Sequence, residues 1–485
     1  MNVLYGIRNS RFGKRYLGDR AFYALVLSLI VPIIIQNSIT NFVSLLDNIM
    51  VGAVSTEQMN GVSIGNQLMF VYNLCIFGGM SAASIFAAQF YGANDEKGVR
   101  YTFRYSMYVA FAIGIVGMVI FGLFRGNLIS NFINDVENTG GAEETFDTAV
   151  AYVGIMMLGL IPFAVSQAYA GILRVVGETK LPMIASVTSV FTNLVFNAIL
   201  IFGYLGFPAI GARGAAIATV IARFVEMGII ILVSHRRLNR QGKYPFLRGA
   251  YASPVIPWHL LKQIFLKGMP LLVNEALWST AMTTLNQQYS LRGLNVVAAL
   301  AITSTITNLF NTFFLSMGTA ASVLVGSALG AEDAAEAKAC TRKIIFFNIC
   351  LCIGVGMVMF ASAPFLPMLY KEADSTVRAL SRDMIRLYAL ASPFIGFANC
   401  SYFILRAGGR TMITFLFDSA FAWIIPMPLI YSLIHFTDWT IIPVYAAYHS
   451  TEFIKDLLGF VLIKKGVWIR NIVSSLNQEK LDEKD

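Results

Sequence analysis

The sequence predicts an all-α integral membrane protein with twelve transmembrane helices in two pseudo-symmetric six-helix lobes. Three observations carry that prediction. The 485 residues are 56% hydrophobic and 13% charged, with a mean hydropathy of +0.65, whereas a soluble chain carries about a quarter charged residues. The apolar runs reach or approach the ~20 residues that cross a bilayer. They are continuous rather than alternating, which excludes a β-barrel. Finally, the chain repeats itself. Shifted by 238 positions, Pro32 falls on Pro270, Asn48 on Asn286, Asn73 on Asn311 and Gly92 on Gly330; at a shift of 232, Ile172-Leu173-Arg174 falls on Ile404-Leu405-Arg406 and Gly177 on Gly409. Two parallel halves of one design suggest a working site between two pseudo-symmetric lobes.

The spans read, in order, 21–46, 57–90, 101–124, 148–173, 181–203 and 212–234 in the first half. In the second half they read 260–290, 294–329, 338–362, 380–405, 411–434 and 441–464. The first run follows Arg8, Arg11, Lys14, Arg15 and Arg20, lacks a small-residue cleavage pattern and is too long for a signal-peptide core, so it reads as helix one. Lys97, Arg100 and Arg104, then Arg174 and Lys180, then the basic stretch from Arg236 to Lys267 all fall on one side. Lys338, Arg342 and Lys343, then Arg406 and Arg410, then Lys464 and Lys465 continue the series. The opposite loops are poor in Lys and Arg, and the one from Asn134 to Asp147 is acidic. This is the positive-inside pattern with both termini in the cytoplasm of a cell-membrane protein. The net charge of +9 thereby reports topology, and no nucleic-acid partner is expected. The expected organisation is a cytoplasmic segment at 1–20, an N-lobe at 21–234, a cytoplasmic linker at 235–259, a C-lobe at 260–464 and a cytoplasmic tail at 465–485.

Chemistry that needs a cofactor has no foothold in the pattern. The five cysteines and four histidines are dispersed, and no zinc, P-loop or dinucleotide fingerprint occurs. No enzyme activity, no resident metal and no cofactor is expected, and active transport would draw on a proton or sodium gradient.

The polar residues are arranged in stripes. Helix one carries Gln36, Asn37, Thr40, Asn41, Ser44, Asp47 and Asn48 at steps of three and four, and helix seven repeats the device with Asn274, Glu275, Ser279, Thr280, Thr283, Asn286 and Gln287. A polar stripe facing lipid costs several kcal/mol, so each stripe lines either a helix interface or a watery cavity. Its presence at the start of both halves favours a cavity, with Gln36, Asn37, Asn41, Asn274, Ser279, Asn286 and Gln287 as its candidate lining. Pro32 and Pro270 interrupt the backbone ladder at the same place in each helix and permit a kink there.

Asp47, Glu275 and Asp418 are the important entries in the spans. A carboxylate in a membrane segment is rare because its charged form is poorly solvated, so it can take up and release a proton or hold a sodium ion with nearby oxygens. Glu226 has Arg223 three residues earlier as a simple partner. His449, Glu452, Lys455 and Asp456 read as a salt-linked face of helix twelve. Few cations are candidates for burial, and Arg174 and Arg406 are assigned to headgroups or helix-end carbonyls.

In their order and spacing, three motifs resemble the multidrug and toxic compound extrusion (MATE) family. They are Pro32 with Asp47-Asn-Ile-Met-Val-Gly52 on helix one, Gly171-Ile-Leu-Arg174-Val-Val-Gly177-Glu-Thr179-Lys after helix four, and Gly211-Ala-Arg-Gly214-Ala-Ala-Ile-Ala-Thr219 opening helix six. The resemblance runs from about residue 20 to residue 465. It implies the MATE-like fold and export of cationic or amphipathic compounds in exchange for protons or sodium, through a cavity that opens alternately to each side. It also implies an N-lobe cation site at Asp47, Asn193, Asn197 and Thr219. The position of Asn197 is often aspartate in the family, and the departure weakens a sodium reading there. The helix-seven acid corresponds to Glu275. Asp418 matches no general family motif and stands as a second carboxylate for the C-lobe, with sodium at Asp47 or Glu275 the alternative to a proton.

The function expected is secondary active efflux of organic cations or amphipathic small molecules, in the lipid bilayer and with no obligate protein partner. A lipid-linked oligosaccharide flippase of the same superfamily is the alternative within transport. It calls for a strongly cationic cavity, where these spans carry three acids. A lipid-modifying membrane enzyme is the alternative outside transport, and His449 with Glu452 is its only hint.

Overall fold

A computed structural model describes residues 15–133, 141–370, 373–474 and 476, without the side chains of residues 43–45, 48 and 131–133. Arg8, Arg11 and Lys14, residues 134–140 of the acidic loop, and the side chains of Ser44 and Asn48 thus lie outside the described residues.

Among the described residues there are twelve long helices and no strand. The first half contains α1 (Arg20–Gly52), α2 (Thr56–Gly92), α3 (Glu96–Ile133), α4 (Ala142–Val175), α5 (Lys180–Phe202) and α6 (Gly211–Gln241). The second contains α7 (Trp258–Ser290), α8 (Leu294–Gly330), α9 (Ala334–Ser362), α10 (Ser375–Ala407), α11 (Thr411–Phe436) and α12 (Ile441–Lys464). Ten of them are long and apolar enough to span a bilayer. The other two are α7 and α12, diluted by Lys262, Lys267 and Glu275 and by Glu452, Lys455 and Asp456.

The repeat is written into the backbone as well as the sequence. Asn94 and Glu332, 238 apart, both adopt left-handed φ values of 55° and 62° where α2 and α8 end. Gly177 and Gly409, 232 apart, do the same at 83° and 68° where α4 and α10 end. An asparagine or glycine tolerates that conformation readily; a glutamate accepts it only where the turn demands it.

The helices carry irregularities or internal prolines at several places. Pro32 and Pro270 sit inside continuous helices, as does Pro393 in α10. α4 tightens to a 3-10 turn at Met157–Gly159. α11 contains a π-helical turn at Leu416–Ala420, the kind of widened turn that often marks a functional site.

The described chain divides into two compact units. One comprises residues 35–87 and 96–261; the other comprises 1–34, 88–95 and 262–485. In the first unit α5 packs on α6, and α4 packs on both α3 and α6. The segment between α6 and α7 is no slack tether. The Arg104 guanidinium donates from Nη2, Nε and Nη1 to the carbonyls of Gly249, Ala250 and Val255, each at 2.8 Å. Arg100 Nε reaches Phe246 O at 3.2 Å, and Tyr108 bonds to Pro254 O. Tyr244 OH donates to Glu178 at 2.6 Å, and burial together with that carboxylate pushes the phenol up to about 12. Two arginines counted in the charge pattern are therefore also structural clamps.

In the second unit α10 is the hub, packing on α8, α9 and α12. Its core is Ala281, Leu285, Ile306, Phe314, Met359, Met384, Ile385 and Ile430 with their neighbours. The last turn of α2, within this unit, crosses the last turn of α8 about a local two-fold relation. A Cβ on Gly92 would overlap the backbone of Ser327, and one on Gly330 would overlap the backbone of Gln89. Gln89 and Ser327 are themselves 238 apart. Gln89, wholly buried, then breaks the symmetry by binding the C-terminal segment. Its Nε2 donates to Ala407 O at 2.9 Å and Arg470 O at 3.2 Å, and its Oε1 accepts from Ile472 N at 2.6 Å. Trp468, Ile472, Val473 and Leu476 are buried there.

Candidate functional site

Each unit gathers polar side chains deep in its helices. In the first unit the collection begins with Asn193 and Asn197, four apart on α5 and so on one face of it. Both are buried, at 6% and 0% exposure. Asn197 Nδ2 donates to Asp47 Oδ1 of α1 at 2.5 Å and to Asn193 Oδ1 at 3.2 Å. Asn193 Nδ2 donates to Thr219 Oγ1 of α6 at 3.1 Å, and that hydroxyl donates to Ala215 O at 2.9 Å. The four residues implied by the family resemblance for the N-lobe thus form one hydrogen-bonded chain across three helices. Two features of it bear on chemistry. Asn197 Oδ1 is buried without a hydrogen-bond partner, and no Lys or Arg among the described residues bonds to or acts on Asp47. One carboxylate, two amide oxygens and a hydroxyl, with no resident cation, make a donor set suited to a proton or a small hard cation.

In the second unit the collection centres on Asn274 of α7, 1% exposed. Its Nδ2 donates to Asp418 Oδ2 at 3.0 Å and lies 3.4 Å from Tyr402 OH, and its Oδ1 accepts from Ser419 Oγ at 2.8 Å. Asp418 and Ser419 are presented by the π-helical turn, which aims consecutive side chains at α7. Tyr402 OH donates to Glu275 Oε1 at 3.1 Å. Glu275 also interacts electrostatically with Arg406 and Asp418. Asp418 Oδ1 is held by Lys455 Nζ of α12 at 2.8 Å.

The expected cavity residues divide. Asn41, Asn286 and Gln287 are exposed, and Asn37 and Ser279 half-buried. Gln36 and Asn274, equivalent under the shift of 238, are instead both buried in helix contacts, Gln36 accepting from Arg174 Nη2 at 3.2 Å. A polar stripe does not distinguish its interface members from its open members, because both repeat at the same helical steps.

Three assignments made from sequence need correction. Lys455 interacts with Glu452 and Asp456 of its own helix as expected, but its ion pair is with Asp418 on α11. Glu226 accepts from Ser186 Oγ at 2.9 Å and interacts with Arg174 as well as Arg223, while Arg223 donates to Gly159 O at 3.3 Å and sits over the Phe163 ring. Cations within the helix spans are also more numerous than expected, Arg406 buried and Arg174, Arg223 and Lys455 half-buried. Tyr402 and Ser419 were missed outright. A hydroxyl in an apolar helix is too common to single out, and the π-turn that brings Ser419 beside Asp418 has no sequence signature. Lys455 could have been found, since a lysine at the centre of an apolar helix demands a carboxylate at the same depth.

A family model for MatE matches residues 32–199 and 270–432. The chain belongs to the MatE family. Its relatives include a probable multidrug resistance protein NorM of Thermotoga maritima, 22% identical over 458 residues, with 94% of this chain and 95% of that protein covered. A probable multidrug resistance protein YoeA of Bacillus subtilis is 23% identical over 453 residues, with 93% and 95% covered. Solved structures of the same fold include a MATE protein in the bent conformation, with TM-score 0.80, 19% identity, and 94% of this chain and 97% of that chain covered. Another is a MOP superfamily transporter from Pyrococcus furiosus, described as having a binding pocket of reverse polarity, with TM-score 0.77, 19% identity, and 93% and 96% covered. As a MatE protein the chain is a multi-pass membrane transporter and not an enzyme.

Proposed function

We propose that this protein is a multidrug efflux transporter that exports organic cations or amphipathic small molecules in exchange for protons or sodium. The observation that carries the reading is the Asp47–Asn197–Asn193–Thr219 chain, where a carboxylate without a cationic partner among the described residues meets a buried amide oxygen that has no partner among them either. The names of the relatives support the substrate class. Binding of a proton or sodium at Asp47 would favour one conformation over the other, and exchange follows if substrate favours the opposite one. Both termini are placed in the cytoplasm on the positive-inside pattern.

An anionic lipid-linked substrate would need free cations. Arg174, Arg223 and Lys455 are each engaged with a protein oxygen, and Arg406 lies over the Phe403 ring and interacts with Glu275. The test is efflux of ethidium from liposomes under separately imposed proton and sodium gradients. Gradient-driven efflux that is lost in Asp47→Asn supports the reading; efflux with neither ion sinks it.

A further inference from the structure

The second unit carries four carboxylates along its polar helices, Glu275, Asp418, Glu452 and Asp456, and one of them is matched by an ammonium. Lys455 Nζ lies 2.8 Å from Asp418 Oδ1, with the two side chains 13% and 16% exposed. The rings of Phe417 and Phe421 stand 5.5 and 5.9 Å from Nζ and sheathe it. Asp418 is saturated on both sides, because its Oδ2 accepts from Asn274. Glu452 and Asp456 also act on Lys455 electrostatically, which keeps the ammonium in place should Asp418 let go.

The first half holds a related contact at the equivalent position of its fifth helix. Under the shift of 232, Asp418 falls on Ser186. Ser186 on α5 bonds to Glu226 on α6, as Asp418 on α11 bonds to Lys455 on α12. Both halves use that position of their fifth helix to hold their sixth. Only the second half does so with a full ion pair.

We propose that Lys455 is a resident counter-cation, occupying on Asp418 the place that an exchangeable monovalent cation would otherwise take. Asp418 is thereby removed from the set of exchangeable sites, while Asp47, on which no Lys or Arg among the described residues acts, stays in it. The inference rests on the transport reading and deepens it by assigning which carboxylate is closed to exchange. A purely structural pin between α11 and α12 would have the same geometry but no influence on cation binding.

The test uses full-length protein carrying Asp47→Asn, so that the first-unit site is silent, at about pH 8.5, where a freed carboxyl competes least with protons. Binding of sodium and of tetraphenylphosphonium is measured for this background alone and with Lys455→Gln, Lys455→Arg, or Lys455→Gln combined with Asp418→Asn. The expected result is a gain of about tenfold or more in affinity for one of the two probes in Lys455→Gln. The gain should be absent in Lys455→Arg and abolished by adding Asp418→Asn. If Lys455→Gln is unstable, the same comparison is read as a probe-dependent rise in melting temperature, since a ligand that binds only the folded state stabilises it. No gain for either probe, or a gain that survives Asp418→Asn, overturns the proposal. Failure of the transport reading is separately visible, as the absence of ethidium efflux by the wild type under either a proton or a sodium gradient.

Discussion

Replacing Gln89 by alanine should loosen the C-terminal segment by a predictable amount. Gln89 is fully buried, and its amide serves three backbone groups, the carbonyls of Ala407 and Arg470 and the N–H of Ile472. Truncation leaves all three without that partner, and each unmade buried bond costs roughly 1–3 kcal/mol. Water reaching the vacated space offsets part of this, so about 3 kcal/mol is a reasonable net figure. Trp468 and Ile472, each 1% exposed, keep their apolar contacts, and the segment therefore stays docked but opens more often. A local opening easier by about 3 kcal/mol raises exchange by roughly two orders of magnitude. The assay is hydrogen–deuterium exchange on peptides covering 466–476, with Ser327→Ala as the control at the repeat-equivalent position. Exchange in Gln89→Ala within twofold of wild type would refute the reasoning.

Three further expectations come from the same packing. Gly92→Ala and Gly330→Ala each drive a methyl into backbone across the α2–α8 crossing and should lower stability by about 1–3 kcal/mol, whereas Gly354→Ala, with nothing within 4 Å, should not; thermal melts of the three compare them directly. Arg104→Lys keeps the charge but cannot serve three carbonyls as a planar fork does, so proteolysis within residues 242–257 should accelerate severalfold, and an unchanged cleavage rate would show that the clamp is dispensable. Asn197→Asp places a second carboxylate beside Asp47 and should steepen the dependence of melting temperature on sodium relative to wild type; a flatter dependence would speak against a cation site there.

Much of the fold was legible because its signals are long-range and redundant. Twelve helices follow from hydropathy, and the observed bounds differ from the expected spans mainly by extension at the ends, as at Glu96–Ile133, where the helix outlasts the apolar window. The repeat pairs Gly177 with Gly409, and both adopt a left-handed φ where their helices end. The first-unit cluster was legible through resemblance alone, since nothing in the spacing of Asn193 and Asn197 says that Asp47 lies opposite them. Partner choice was the least legible quantity. Lys455 had Glu452 and Asp456 as sequence neighbours, yet its ammonium goes to Asp418, because the π-turn at 416–420 and not sequence proximity sets which carboxylate faces it. Gln36 and Asn274 illustrate the same limit, for helical periodicity places a residue on a face without saying what covers that face.

The most direct measurement is gradient-driven ethidium efflux from liposomes by wild type, Asp47→Asn and Asp418→Asn with Lys455→Gln. Loss of efflux in Asp47→Asn, with gradient dependence retained in the neutral Asp418/Lys455 pair, is the predicted result. Full efflux in Asp47→Asn, with gradient coupling lost in the neutral pair instead, would contradict it and move the exchangeable cation to the second unit.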